Sequence, residues 1–240
     1  MKMQSGNDEK RSSLSVSMQE SLRDDAADIL CNISEIGLDS ILDDGIIKDI
    51  PMISTAVRLF NIGKSIKERH YVKKLAIFID ALNKGMAKDE QREYYKQKVI
   101  DDTKKRNKEL EYILILIDRY LLEDKTMFLA KIYLAYLDET IKWEEFVTFS
   151  SVIDMLMPKD YTVLKSSYTY HIIHDNNTDS ILRLAGLGLI VRDPDALDKI
   201  DRRASFTKKG YASSLNKDRI QNTYYRTALG DKMVKILESR

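Results

Sequence analysis

Glycine and proline are missing from the middle of the chain. Residues 86–157 contain neither, and the whole 240-residue sequence has only nine Gly and three Pro. Because sheet proteins need these residues at their many turns, so long an uninterrupted stretch favours helices over strands. With 43% hydrophobic and 32% charged residues, the composition is that of an ordinary globular protein. We therefore predict a mainly helical fold.

Hydrophobic residues recur every three or four positions along the first two thirds of the chain. This spacing predicts amphipathic helices, each with one face packed into a core. Pro51 can open a helix at its first turn, and Gly85 stands where a C-cap is expected. The polar residues 1–24 are predicted to form a disordered tail. Residues 25–157 are predicted to form a multi-helix domain.

Residues 158–240 carry a different pattern. A helical segment leads into GLGLI, a long polar excursion follows, and YYRTALG then precedes a last amphipathic helix. This order predicts a winged-helix-like module with a small β-hairpin, in which glycine lets the chain leave the helix in a conformation that a Cβ would oppose. Tyr225 and Thr227 are placed on the returning strand, and Thr227 can also cap the last helix. Residues 206–211, FTKKGY, are the alternative for that strand.

The distribution of charge points to candidate nucleic-acid contacts. The net charge of +1 gives the chain no overall basic field, but residues 159–240 carry 15 basic against 10 acidic side chains. Basic residues on the helix before the glycines and in the wing would neutralise phosphates. The candidate contacts are Arg183, Arg192, Arg202, Arg203, Lys208 and Lys209. Winged helices also serve as protein-interaction and dimerisation modules, so a protein partner fits the same pattern.

A second candidate surface lies in residues 46–66. This segment is largely apolar and is followed by several lysines and arginines, and an amphipathic helix of this kind can lie on an anionic membrane. The candidate membrane or partner face comprises Ile53, Val57, Phe60 and Lys64. The same pattern more often indicates a helix packed into the core. The sequence has no apolar run long enough to span a bilayer and no signal-peptide pattern at its start.

Motifs for catalysis and for cofactors are weak. The segment NIGKS, residues 61–65, resembles the end of a phosphate-binding loop. It lacks the loop's first glycine, because Arg58 occupies the position five residues before Gly63. His171 and His174 have a spacing that can hold a metal, but two histidines near a turn are more often surface residues. The single cysteine, Cys31, excludes an intrachain disulfide and favours the cytoplasm. We predict no enzymatic activity, no metal and no cofactor.

Three segments of the sequence resemble a known protein family. They are IPMISTAVRLF, then FVTFSSVIDMLMPKDYTVL and finally LRLAGLGLI, all between residues 46 and 190. The second contains Phe149, Ile153, Leu156, Asp160 and Leu164. Together these segments resemble the bacterial abortive-infection alpha-type proteins, a phage-defence family. The resemblance implies a role in aborting phage infection and carries over no catalytic residue.

These observations lead to three functional hypotheses. The first is a non-enzymatic interaction or sensing protein in phage defence, whose winged-helix module binds a protein partner, a second copy of the chain or nucleic acid. The second is a DNA-binding transcription regulator. The third is a membrane-associated effector that acts through residues 46–66.

Overall fold

The structure is a computed structural model that describes residues 14–18, 20–21, 50–60, 65–85, 94, 103–166, 169–171, 177–193 and 223–238. The chain divides into two compact units, Met1–Ser150 and Ser151–Arg240. The helices of the first are α1 (Pro51–Phe60), α2 (Ile66–Gly85), α3 (Thr103–Arg119), α4 (Glu123–Leu137) and α5 (Trp143–Met155), which crosses the division. The second has α6 (Pro158–Ser166), β1 (Thr169–His171), α7 (Thr178–Gly186), β2 (Ile190–Arg192), β3 (Thr223–Arg226) and α8 (Ala228–Glu238).

The prediction of a mainly helical fold is confirmed, and the second unit also contains a small antiparallel sheet. Within the stretch that lacks glycine and proline, the described residues include the whole of α3, α4 and α5. On α2 the hydrophobic residues that follow the three- or four-residue spacing are buried, namely Val72, Leu75, Ala76, Ile79 and Leu82. Helix α2 packs mainly against α4, so these two helices form the centre of the first unit. The division between the units falls inside α5, before the boundary that we predict at residue 158.

The prediction of a disordered tail is wrong for residues 14–18 and 20–21, which are helical. Leu14 and Met18 lie one helical turn apart and are fully buried. The Ser17 hydroxyl donates to the Thr55 hydroxyl at 2.8 Å, and the backbone N–H of Met52 donates to the Ser21 hydroxyl at the same distance. Serine-rich composition suggested disorder, but these serines are bonded to α1.

A lysine of α2 caps the C-terminus of α3. The Lys74 ammonium group donates to the carbonyl oxygens of Ile117, of Asp118 at 3.2 Å and of Tyr120 at 2.5 Å. Carbonyls at the end of a helix have no intrahelical donor and carry the negative end of its dipole, so three acceptors meet three ammonium protons. Burial lowers the pKa of Lys74 to about 8, although the Asp118 carboxylate acts in the opposite direction.

In the second unit the sheet order is β1-β3-β2, with both pairs antiparallel. Tyr225 lies on the returning strand β3, opposite Val191 of β2, as predicted, whereas Thr227, predicted on the same strand, lies just beyond its end. Just beyond the paired residues, the Asp193 N–H donates to the Thr223 carbonyl at 2.9 Å. Strand β1 was not predicted. The competing segment FTKKGY, residues 206–211, lies outside the described residues.

Helix α7 ends in a Schellman motif. The Gly188 N–H donates to the Ala185 carbonyl and the Leu189 N–H to the Leu184 carbonyl, both at 3.0 Å. Gly188 has φ of 72°, in the left-handed region that side chains with a Cβ avoid. Leu184 and Leu189 occupy the two positions whose hydrophobic contact commonly accompanies this motif, and both are buried. The predicted need for glycine after the helix is therefore confirmed at Gly188.

Alanine substitutions at Gly188 and Gly186 test whether the left-handed backbone conformation, rather than steric overlap, requires glycine. We expect Gly188→Ala to reduce the free energy of unfolding of the second unit by about 1 kcal/mol, because alanine must adopt the left-handed conformation. A Cβ at either Gly188 or Gly186 meets no atom within 4 Å. Gly186 is helical, so Gly186→Ala should instead add about 0.5 kcal/mol. Hydrogen exchange of the α7 amides in the full chain measures both effects, and equal shifts in the two variants would contradict this explanation.

The segment YYRTALG packs against the segment GLGLI that ends α7 and begins β2. The Thr227 N–H donates to the Leu189 carbonyl at 3.0 Å, and the Thr227 hydroxyl donates to the Gly188 carbonyl at 2.7 Å. Thr227 also caps α8, because its hydroxyl oxygen accepts the Gly230 N–H at 3.1 Å. A Cβ on Gly230 would overlap the Leu189 carbonyl oxygen. The glycine thus allows the start of α8 to approach the backbone that joins α7 to β2.

Candidate interaction surface on α7 and the sheet

Arg183, predicted as a nucleic-acid contact, is bonded within its own unit. Its Nε donates to Asp160 Oδ2 at 3.0 Å and its Nη2 to Oδ1 at 2.8 Å. The Asp160 side chain is fully buried, whereas that of Arg183 is 39% exposed. This bidentate geometry is the strong form of an arginine–carboxylate contact. Arg183 therefore ties α7 to the first turn of α6, a role that the sequence did not indicate.

Asp160 receives further hydrogen bonds that keep it ionised. The Met157 N–H donates to Asp160 Oδ2 at 2.8 Å, so the Asp160 carboxylate also caps the N-terminus of α6. Burial alone would raise the pKa of Asp160, but the hydrogen bonds from Arg183, from Met157 and from Ser180 outweigh it and lower the pKa below its usual value. The ion pair is therefore intact at neutral pH.

Acid should weaken the second unit through this carboxylate. Because the pKa of Asp160 is lower in the folded chain than in the unfolded chain, its contribution to stability is present above the unfolded value of about 4 and is lost as pH falls through the folded value. We expect Asp160→Asn to reduce the free energy of unfolding by about 2 kcal/mol at pH 7 and to flatten its acid dependence. Hydrogen exchange of the α7 amides at several pH values measures this. Asp179→Asn is the control, since Asp179 is exposed, and an equal loss there would refute the assignment.

The outward face of α7 is acidic and apolar. Asp179, Leu182 and Gly186 are exposed and share one side of the helix, and the Leu182 side chain is 53% exposed. Ile181 and Leu184 are buried on the other side. With Arg183 held by Asp160, this face offers little attraction for phosphate groups.

The sheet adds an exposed apolar pair. Val191 and Tyr225 are directly opposite each other on β2 and β3, so their side chains lie on the same face of the sheet. The Val191 side chain is 53% exposed and that of Tyr225 is 38% exposed, whereas the neighbouring Ile190 is buried. Aromatic and aliphatic side chains of this kind are typical of protein contacts.

The remaining predicted nucleic-acid residues are only partly within the described chain. Arg192 lies on β2 and is exposed. The others lie outside the described residues, namely Arg202, Arg203, Lys208 and Lys209. Of the six predicted contacts, the structure therefore places two, and one of these two is bonded to a buried aspartate.

The predicted membrane face is wrong at Ile53, which is buried. Helix α1 directs its apolar side into the first unit, where it packs against α2. Val57 is half-buried, while the Phe60 side chain and Lys64 lie outside the described residues. In the part of the chain that the structure describes, no helix combines the length and apolar character that crossing a bilayer requires.

The structure gives no support for a metal site in the described residues. His171 lies on β1, and His174 and Cys31 lie outside the described part of the chain. Within the described part, no three His, Cys, Asp or Glu side chains come together in a way that could hold an ion.

Comparison of the chain with protein-family models, with curated proteins and with solved structures gave no match. The resemblance to abortive-infection proteins therefore remains a prediction.

Proposed function

We propose that the second unit is a winged-helix-like interaction module that binds a protein partner, and that the chain acts in phage defence in the cytoplasm without catalysing a reaction. The order of elements supports the module. Helix α7 leads through a left-handed glycine into β2, β3 returns between β1 and β2, and α8 follows at once. The sequence resemblance supports the role in defence.

The outward face of α7 carries this proposal. A helix that reads nucleic acid presents basic and amide side chains, whereas α7 presents Asp179 and Leu182 and holds Arg183 against Asp160. An exposed leucine beside a carboxylate suits a protein surface with an apolar pocket and a basic rim. Val191 and Tyr225 form a second exposed apolar pair in the same unit.

A phage challenge tests the role and the surface together. Cells that express the full chain should reduce the plating efficiency of at least one phage in a broad panel. Leu182→Asp and Val191→Asp should abolish protection, because each places a charge on an apolar contact. Thr162→Asp, at an exposed position of α6, should leave protection intact. Absence of protection by the unaltered chain would contradict the defence role, and equal loss in the Thr162 variant would contradict the proposed surface.

A DNA-binding regulator is the second candidate, and the exposure of Arg192 on β2 favours it. In that case a labelled DNA duplex should bind with an affinity that falls steeply with salt, because each neutralised phosphate releases a counterion. Arg192→Ala should weaken this binding, whereas Leu182→Asp should not abolish it. The opposite ranking of the two variants would support the protein partner.

A further inference from the structure

The connection between α3 and α4 presents a leucine to solvent. The Leu121 side chain is 80% exposed and that of Ile66, at the start of α2, is 77% exposed. These are the two most exposed large apolar side chains in the described part of the chain. Single exposed leucines are common on monomers, so a functional interpretation depends on whether the two side chains are neighbours and are held in place.

The backbone on both sides of Leu121 is fixed. Lys74 donates to the carbonyl of Tyr120, and the Tyr120 side chain is buried with its hydroxyl donating to the Ser150 carbonyl at 2.9 Å. The carbonyl of Leu121 itself lies 3.0 Å from His70 Nε2. Leu121 is thus presented by a turn that is already ordered, which lowers the entropy lost when a partner binds.

Ile66 belongs to the same surface. It lies one helical turn before His70, and side chains four positions apart on a helix are neighbours. Lys67, which follows it, has its Nζ 3.9 Å from Asp118 Oδ1 on α3. We call the surface formed by Ile66, Lys67, Asp118 and Leu121 the turn patch.

The turn patch carries charges of both signs. The Lys67 side chain is 80% exposed and that of Asp118 is 43% exposed, so their contact is a weak surface ion pair. A partner of uniform charge, such as an anionic membrane or nucleic acid, would attract Lys67 and repel Asp118. A two-fold axis through the patch would instead bring Lys67 of one chain to Asp118 of the other and would cover Ile66 and Leu121 on both.

We propose that the turn patch binds a second copy of this chain and forms a two-fold symmetric dimer. The patch lies in the first unit, so this dimer does not rest on the function proposed for the second unit.

Analytical ultracentrifugation of the full chain over a range of concentrations tests the dimer. The unaltered chain should sediment as a dimer at micromolar concentration. Leu121→Ser and Ile66→Ser should each raise the dissociation constant at least about tenfold, because each removes a buried apolar contact from a small interface. Met155→Ser, at an exposed methionine to which no binding role is assigned, is the matched control and should leave the constant unchanged. Both test residues are exposed, so the circular dichroism spectrum should not change.

Charge exchange shows whether Lys67 meets Asp118 within one chain or between two. Lys67→Glu and Asp118→Lys should each weaken the dimer when studied alone, because like charges then face each other across the axis. A mixture of the two variants should dimerise again, since each interface contact then joins opposite charges. The contact within each chain stays repulsive in the mixture, so a merely structural pair would give no rescue.

Three results would overturn the proposal. They are a chain that stays monomeric at all concentrations, a dimer that Leu121→Ser leaves unchanged, and a failure of the mixed variants to associate. In the first case, flotation with vesicles that contain phosphatidylserine, abolished by Leu121→Ser, would assign the turn patch to a membrane.

Discussion

Gly230→Ala should reduce the free energy of unfolding of the second unit by about 3 kcal/mol, since the added methyl group overlaps the Leu189 carbonyl oxygen and lies 2.8 Å from Arg226 Cγ. The backbone cannot move aside cheaply. The Leu189 carbonyl accepts the Thr227 N–H, and the Leu189 N–H completes the Schellman motif at the end of α7.

The measurement is hydrogen exchange of the amides of Leu189 and Thr227 in the full chain, which should lose most of their protection. Gly186→Ala is the matched control, because a Cβ there meets no atom within 4 Å. Protection that remains unchanged in the Gly230 variant would show that α8 does not approach the α7–β2 connection as closely as described.

Lys74→Met should have the second large effect, about 3 kcal/mol on the first unit. Methionine fills much of the same space but cannot donate, so the carbonyls of Ile117, Asp118 and Tyr120 lose the ammonium protons that satisfy them. Lys73→Met is the matched control. Lys73 is less buried and pairs with Glu123 at 2.8 Å, so its loss should cost under about 1 kcal/mol.

Urea unfolding followed by the fluorescence of Trp143 provides the measurement. Trp143 is the only tryptophan, and its ring centre lies 5.3 Å from that of Tyr136 in the first unit. Equal stability of the Lys74 and Lys73 variants would contradict the capping role.

The same substitution has a consequence in mild alkali. The pKa of Lys74 is about 8 in the folded chain, whereas its ordinary value, which applies to the unfolded chain, is 10.5. Between these values the unfolded chain binds the proton more readily, so this group should make the free energy of unfolding rise as pH increases through that window. The difference between the unaltered chain and Lys74→Met should therefore grow from pH 7 to pH 9. A stability difference that shrinks over this pH range would mean that the hydrogen bonds to the carbonyls raise the pKa of Lys74 more than burial lowers it.

Much of the fold is predictable because helices leave a local signal. The stripe on α2 and the start of α6 at Pro158 follow from spacing and from proline geometry alone. The helical residues 14–18 and 20–21 escaped prediction because only Leu14 and Met18 mark their apolar side. The hydrogen-bond partners of this segment are on α1, more than thirty positions further along the chain.

The candidate surface was less predictable, because its chemistry depends on distant pairs. Arg183 looked like a phosphate contact, yet its partner Asp160 lies 23 positions earlier in the chain. Lys74 is one of several lysines in a basic run, and nothing local distinguishes it from Lys73, although its acceptors lie 43 to 46 positions away. The sequence shows that these side chains are charged. Only the packing of the helices determines which of them are buried and bonded to partners within the chain.

The hydrogen bond between Asp193 and Thr223 brings together the two points where the chain leaves and rejoins the sheet. Because this backbone hydrogen bond continues the β2–β3 ladder by one step, the sheet itself fixes how far apart these two points lie.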